Sequence, residues 1–205
     1  MRQIASIFPF VRFFDLANGV TAFNILLSFV SVAAALQGKL TWAASIICLA
    51  VILDFVDGHI ARTWLASDIP RRKFGKHLDS FSDLLNFSVA PAFVLVLLLP
   101  SSLAIVAGCA LVLSGVLRLA VFAVKDSDAP MEYRGLPTTY SGLLFALAFQ
   151  SVAAYRIGVQ DLLMLMFIIA FFQITNLKLP KFKAVPTVTF IAIAYPVCSF
   201  LLHNA

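Results

Sequence analysis

The chain has 205 residues, 61% of them hydrophobic and 12% charged, with a net charge of +5 and a mean hydropathy of +0.98. Soluble domains typically carry about 25% charged residues, so the composition excludes a soluble globule and points to an integral membrane protein. Too little polar sequence remains for a separate soluble domain, and residues 1–205 are read as one membrane domain.

The stretch 1–14 mixes Phe and Arg without a signal-peptide pattern and reads as an interfacial segment at the headgroup level. Apolar runs that approach or exceed the length needed to cross about 30 Å of hydrocarbon follow at 17–37, 41–62, 78–99, 101–125, 140–157, 160–176 and 186–203. The two between 140 and 176 are short and parted only by Arg156-Ile157-Gly158. The expectation is therefore an all-α polytopic bundle of six to eight transmembrane helices.

Polar residues inside these runs are few and patterned. The first run carries Asn18, Thr21 and Asn24 three apart on one face. Asp54, Asp57, Gly58, Ala61 and Arg62 end the second, and Gly75, Asp79, Asp83 and Asn86 open the third. At helical spacing Asp54, Gly58 and Ala61 form one stripe with Asp57 at its edge, while Gly75, Asp79, Asp83 and Asn86 form another. The small residues in each stripe let a neighbouring helix or a ligand approach the backbone. His59 and His77 fall off the stripes and read as interface or headgroup residues, and the 20 Phe as lipid-facing or packing groups. Arg118, inside the fourth run, needs an anionic partner: a substrate phosphate, an acceptor carboxylate or one of the aspartates. Arg134, just before Gly135-Leu136-Pro137, is a candidate for phosphate or carboxylate binding. Cys48, Cys109 and Cys198 lie in apolar runs without metal-site spacing and read as small core hydrophobes. Asp15, Asp68, Asp126, Asp128, Glu132 and Asp161 sit at run ends or in loops and read as solvated.

Placing the N-terminus in the cytoplasm leaves Lys39 and Arg156 as the only outside Lys or Arg. Arg71, Arg72, Lys73 and Lys76, then Lys125 and Arg134, then Lys178, Lys181 and Lys183 fall inside, a strong positive-inside asymmetry. The net charge thus reflects topology and anionic headgroups, with little reason to invoke nucleic acid. The same alternation brings both acidic stripes to the cytoplasmic edge of a plasma or inner membrane.

One Asp near a transmembrane helix centre costs roughly 2.5–3.5 kcal/mol on insertion scales. Two charges about 4 Å apart repel by roughly 4 kcal/mol at an effective dielectric near 20. Four carboxylates therefore call for a cation. An all-oxygen set favours Mg2+, Mn2+ or Ca2+ over zinc, and Arg62 offers a planar fork to the phosphates of the same ligand.

The pattern Asp54-x-x-Asp57-Gly58-x-x-Ala61-Arg62, then Gly75-x-x-x-Asp79-x-x-x-Asp83, resembles the signature of the CDP-alcohol phosphatidyltransferases. The resemblance implies a membrane enzyme, usually dimeric, that uses a CDP-linked lipid or alcohol and a divalent metal. It implies metal ligation by Asp54, Asp57 and Asp79, with Asp83 able to join them, and Asp83 as general base. It further implies that Gly58, Ala61, Arg62 and Gly75 line the cytidine-diphosphate site. Asn18 and Thr21 would face the cytidine or else serve as interhelical hydrogen-bonding groups. Twelve residues separate Arg62 from Gly75, more than is usual in the family, and the extra Pro70-Arg71-Arg72-Lys73 is expected to lengthen a cytosolic loop.

Asp79 to Pro91, Leu117-Arg118-Leu119-Ala120-Val121-Phe122, Gly135-Leu136-Pro137 with Gly142, and Lys178 to Lys183 are similar to the phosphatidylserine synthase branch. Val121, Ala123, Asn86, Ser88 and Thr139 depart from residues common there, Thr139 standing at a frequent Pro. The expected reaction moves a phosphatidyl group from CDP-diacylglycerol to L-serine, with CMP as the other product. Arg118, Asn86 and Arg134 are candidates for the acceptor or phosphate. A related transferase acting on inositol phosphate, glycerol phosphate or an archaeal-type lipid is the nearest rival. A cation or proton transporter would favour acids at the midplane and inverted repeats with broken helices, which the sequence does not display.

Overall fold

The computed structural model describes residues 7–64, 69–124 and 135–177, with Arg62, Thr63 and Trp64 as backbone only. The described residues are helical and contain no strand. A 3-10 turn, Pro9–Phe13, leads into α1 (Leu16–Leu36), followed by α2 (Leu40–Trp64) and α3 (Ile69–Leu84). A π turn, Leu85–Val89, joins α3 to α4 (Ala90–Leu98). Then come α5 (Ser102–Val124), α6 (Thr138–Ala153) and α7 (Val159–Ile174).

Among the described residues, four helical stretches are long and apolar enough to cross a membrane: Leu16–Leu36, Leu40–Ala61, Ile69–Leu98 and Ser102–Val124. α6 and α7 have 16 residues each, about 24 Å at 1.5 Å per residue, short of a full hydrocarbon core. The expected run 186–203, Arg134 and Lys178 to Lys183 lie outside the described residues. The third run starts earlier than expected. Pro70-Arg71-Arg72-Lys73 is the first turn of α3 and not an extended loop. Pro is tolerated in a first helical turn because its missing N–H would have no intrahelical partner there.

α1 shows which solvent the bundle is built for. Its buried residues, Ala17, Asn18, Thr21, Asn24, Leu27 and Ser31, recur at three- and four-residue spacing and include most of its polar side chains. Phe23, Leu26, Phe29 and Val30 point outward. Polar inside and apolar outside is the pattern of a lipid-facing helix, in which the backbone is satisfied internally and side-chain polar groups seek partners on neighbouring helices. Asn24 Nδ2 donates to the Ala50 carbonyl at 3.0 Å and Ser31 Oγ to that of Ala43 at 3.1 Å, tying α1 to α2. Asp15, expected to be solvated, is the half-buried N-cap of α1 and accepts from Asn18 N at 2.9 Å. Cys48 is buried as expected, whereas Cys109 is exposed on α5 and is not a core residue.

Small residues set the helix spacing on the other side. α5 buries Ala104, Ala107, Gly108, Leu111, Ser114 and Gly115 as one stripe, and a Cβ on Gly108 would meet Ala92 Cβ on α4 at 3.3 Å. Gly142 on α6 takes the ring of Phe87, a fully buried side chain in the π turn. The π turn itself precedes Pro91, which lacks an N–H for the Phe87 carbonyl, so a wider turn relieves the ladder there. Ser114 Oγ donates to Gln173 Oε1 at 2.8 Å and Gln173 Nε2 to Ser141 Oγ at 2.9 Å, a buried polar chain that links α5, α7 and α6.

Gly142→Val drives methyl groups into the Phe87 ring, whose Cε1 would already lie 2.8 Å from a Cβ. Overpacking of this kind costs about 1–3 kcal/mol. The thermal midpoint of the detergent-solubilised protein falls accordingly, while Leu144→Val on the exposed side of the same helix shifts it far less.

Candidate active site

The second half of α2 and the C-terminal half of α3 carry the four aspartates, two on each, and the N-terminal ends of α1 and α6 close on them. α2 continues as regular helix to Trp64, so Asp54, Asp57, Gly58 and Ala61 share a face as their spacing requires. One ligand oxygen each from Asp54, Asp57 and Asp79 lies within 4.8 Å of the others. Around an octahedral Mg2+ at about 2.1 Å adjacent oxygens are about 3.0 Å and opposite ones about 4.2 Å apart, so side-chain rotation that draws the three oxygens closer together would close the set on a small divalent cation. The donors are all carboxylate oxygen, the chemistry that suits Mg2+, Mn2+ or Ca2+. Asp83, one turn beyond Asp79, is close enough to Asp54 and Asp79 for their charges to act on it directly.

Each carboxylate is held by a hydroxyl from another helix or faces the cluster. Asp57 is 3% exposed and accepts from Thr21 Oγ1 of α1 at 2.6 Å. Asp54 Oδ2 accepts from Thr139 Oγ1 at 3.0 Å, and Asp83 Oδ2 from Thr138 Oγ1 at 2.8 Å, both on α6. Asp83 Oδ1 is buried and meets no hydrogen-bond donor. Charge-assisted bonds of this kind are about twice as strong as neutral ones and fix the carboxylate planes.

Gly75 sits where α3 crosses α1, and a Cβ there would overlap Asn18 Oδ1. The Asn18 amide donates to the Phe13 carbonyl at 2.8 Å and to Asp15 Oδ2 at 3.2 Å, which anchors the 3-10 turn to the start of α1. Arg71 Nε donates to the Arg12 carbonyl at 3.2 Å and Phe13 stacks on Phe74 at 5.3 Å, so the basic start of α3 and the residues before α1 form one surface, about two helical turns along α3 from Asp79. Asn86 Nδ2 donates to the Asn24 carbonyl at 2.9 Å and to Ser82 Oγ at 3.3 Å within the π turn. Its amide therefore braces α1. Arg118, half-buried on α5, has Nη1 3.4 Å from the Gln173 carbonyl at the end of α7. Lys76 Nζ stands 5.4 Å from the Phe122 ring centre, so α5 reaches the same end of the bundle. His59 and His77 are exposed. The side chain of Arg62 and all of Arg134 lie outside the described residues.

Thr138 and Thr139 were not among the residues singled out for the cluster by spacing. Their partners lie 55 and 85 residues away, and no local pattern marks such contacts. The one local signal is their position just after Pro137, which starts α6. The clasp before it is specific: Gly135 N donates to the Leu177 carbonyl and Leu136 N to that of Phe172, each at 2.9 Å. Gly135 has φ 74°, and a Cβ there would meet the carbonyls of Thr175, Gln173 and Phe172 at 2.8–2.9 Å. Only glycine fits.

The arrangement gathers hard-cation ligands, a fourth carboxylate and small residues at one end of an apolar bundle, the requirements for handling a diphosphate at a membrane edge. A family model described as CDP-alcohol phosphatidyltransferase matches residues 14–175. The chain is 32% identical over 183 residues to CDP-diacylglycerol–serine O-phosphatidyltransferase of Methanocaldococcus jannaschii, covering 89% of this chain and 77% of that protein. It is 30% identical over 170 residues to the protein of the same name from Bacillus subtilis, covering 80% and 89%. Archaetidylserine synthase of Methanothermobacter thermautotrophicus is 33% identical over 127 residues, covering 61% of this chain and 53% of that protein. The family match takes in all seven described helices, all four aspartates and the threonines that hold them, and the chain belongs to the CDP-alcohol phosphatidyltransferase family.

Proposed function

We propose that this protein transfers the phosphatidyl group of CDP-diacylglycerol to the hydroxyl of L-serine, forming phosphatidylserine and releasing CMP. The observation that carries the reading is the convergence of Asp54, Asp57 and Asp79 within 4.8 Å, with Asp83 beside them. Relatives named CDP-diacylglycerol–serine O-phosphatidyltransferase, alignable over most of the chain, support serine as acceptor.

Asp54, Asp57 and Asp79 hold a divalent cation, Mg2+ or Mn2+, with Ca2+ as a further occupant, and Asp83 is near enough to share it. A cation bound there would offset the charge of the diphosphate and ease departure of CMP. Gly58 and Ala61 leave room along α2 for the cytidine diphosphate, and Gly75, which lets α3 close on Asn18, lines it on the other side, with Asn18 and Thr21 at its rim. Arg62 neutralises phosphate oxygens. Asp83 accepts the proton of the serine hydroxyl, and the serine oxygen bonds to the lipid-side phosphorus. The bond from that phosphorus to the bridging oxygen breaks, and CMP leaves with the electron pair. Arg118 and Arg134 supply positive charge for the acceptor carboxylate or the phosphate, and Asn86 braces the neighbouring wall against α1. Such chemistry asks mainly for positioning and charge neutralisation.

The same reading makes residues 1–205 one membrane domain. Residues 1–14 are interfacial, the bundle has six to eight spans in all, and two copies form a homodimer among membrane lipids. The basic start of α3, about two helical turns from Asp79, supports an active site facing the cytoplasm, in the plasma or inner membrane. The archaetidylserine synthase relative favours a second donor, an archaeal-type CDP-lipid.

Purified protein with CDP-diacylglycerol, Mn2+ and a panel of alcohols releases CMP with serine and not with inositol phosphate or glycerol phosphate. Release with another acceptor alone would overturn the serine reading, and no release with any acceptor or CDP-lipid would overturn the transferase reading. Asp83→Asn lowers turnover by about 10²–10⁴-fold and still binds Mn2+, as read by loss of the free-ion electron paramagnetic resonance signal. Asp57→Asn loses most Mn2+ binding in the same titration. Near-parental turnover in the first variant or affinity in the second would contradict its assigned role.

A further inference from the structure

The first turn of α6 presents two adjacent hydroxyls, and they go to carboxylates on different helices. Consecutive helical residues diverge by about 100°, which lets Thr138 reach Asp83 on α3 while Thr139 reaches Asp54 on α2, at 2.8 Å and 3.0 Å. Thr138 is 4% exposed, so its bond to Asp83 does not compete with bulk water. A donor fixed on Oδ2 stops the carboxylate from turning about its Cβ–Cγ bond. Asp83 Oδ1, buried and without a donor, is then the oxygen presented to a ligand. At Asp54 the Thr139 bond occupies one side of Oδ2 and sets the plane in which the carboxylate meets Asp57 and Asp79.

We infer that Thr138 and Thr139 are positioning residues with separate tasks. Thr138 aims Asp83 Oδ1 at the acceptor hydroxyl, and Thr139 aims Asp54 at the cation. The Gly135 clasp to the end of α7 sets the start of α6, and with it both hydroxyls. This division rests on the roles given to Asp83 and Asp54 under the proposed function.

The test uses full-length Thr138→Val, Thr139→Val, Thr138→Ser and Thr139→Ser, with Asp83→Asn beside them. Val keeps the shape of Thr and removes the hydroxyl, while Ser keeps the hydroxyl. Mn2+ affinity without substrate is measured on each by electron paramagnetic resonance, and kcat for CMP release at saturating Mn2+, with KM as a control. Partners that orient ligating or reacting groups typically contribute about 10- to 100-fold. Thr138→Val should lose that factor in kcat while its Mn2+ affinity and KM stay within about twofold. Thr139→Val should lose it in Mn2+ affinity, with kcat near parental once Mn2+ saturates. The Ser variants should restore each value. If both Val variants moved both quantities together, moved neither, or were not rescued by Ser, the division of tasks would be overturned. An inactive Asp83→Asn with a parental Thr138→Val would overturn the positioning role alone. A fully active Asp83→Asn would overturn the base reading and the Thr138 assignment with it.

Discussion

Three carboxylates with oxygens inside 4.8 Å, and a fourth close enough to interact with each of them, repel one another within helices otherwise made for lipid. At an effective dielectric near 20 each close pair opposes the fold by roughly 4 kcal/mol. Folding stability alone gives no reason to keep such a cluster. The cluster lies between α2 and α3, about two helical turns along α3 from its basic start, where a cation and a phosphorylated ligand would offset the repulsion.

The rest of the bundle can be read as what holds that cluster still. α1 turns a polar stripe inward and gives Thr21 to Asp57. The π turn before Pro91 buries Asn86 and Phe87, the first bonded to α1 and the second received by Gly142 of α6. α6 in turn gives its first two hydroxyls to Asp83 and Asp54, and its start is fixed by the Gly135 clasp to the end of α7. Packing, backbone conformation and side-chain hydrogen bonds thus converge on one end of the bundle from at least four helices. Rigid supports of this kind matter for phosphoryl chemistry, where positioning supplies much of the rate.

Much of this was legible in the chain. The apolar runs gave the long helices, and three- and four-residue spacing placed the aspartates on facing stripes because an α-helix repeats every 3.6 residues. The start of α3 was misread as loop: Pro70 with three basic residues resembles a linker, but a Pro in the first turn is compatible with helix. Cys109 was misread as core because apolar composition does not separate lipid-facing from buried positions in a membrane helix. The Thr138 and Thr139 contacts, the Ser114–Gln173–Ser141 chain and the Gly135 clasp join residues far apart in sequence, so only the folded chain brings them together. The amides of Asn18 and Asn86 are engaged by protein groups, a detail their spacing alone did not carry.

If this cluster is a divalent-cation site, the ion can be located between its carboxylates. Crystals of the protein grown with Mn2+ and a CDP-lipid, measured at the manganese absorption edge, should give an anomalous peak bounded by carboxylate oxygens of Asp54, Asp57 and Asp79. A manganese peak elsewhere in the bundle, with those three carboxylates turned away from one another, would contradict the account.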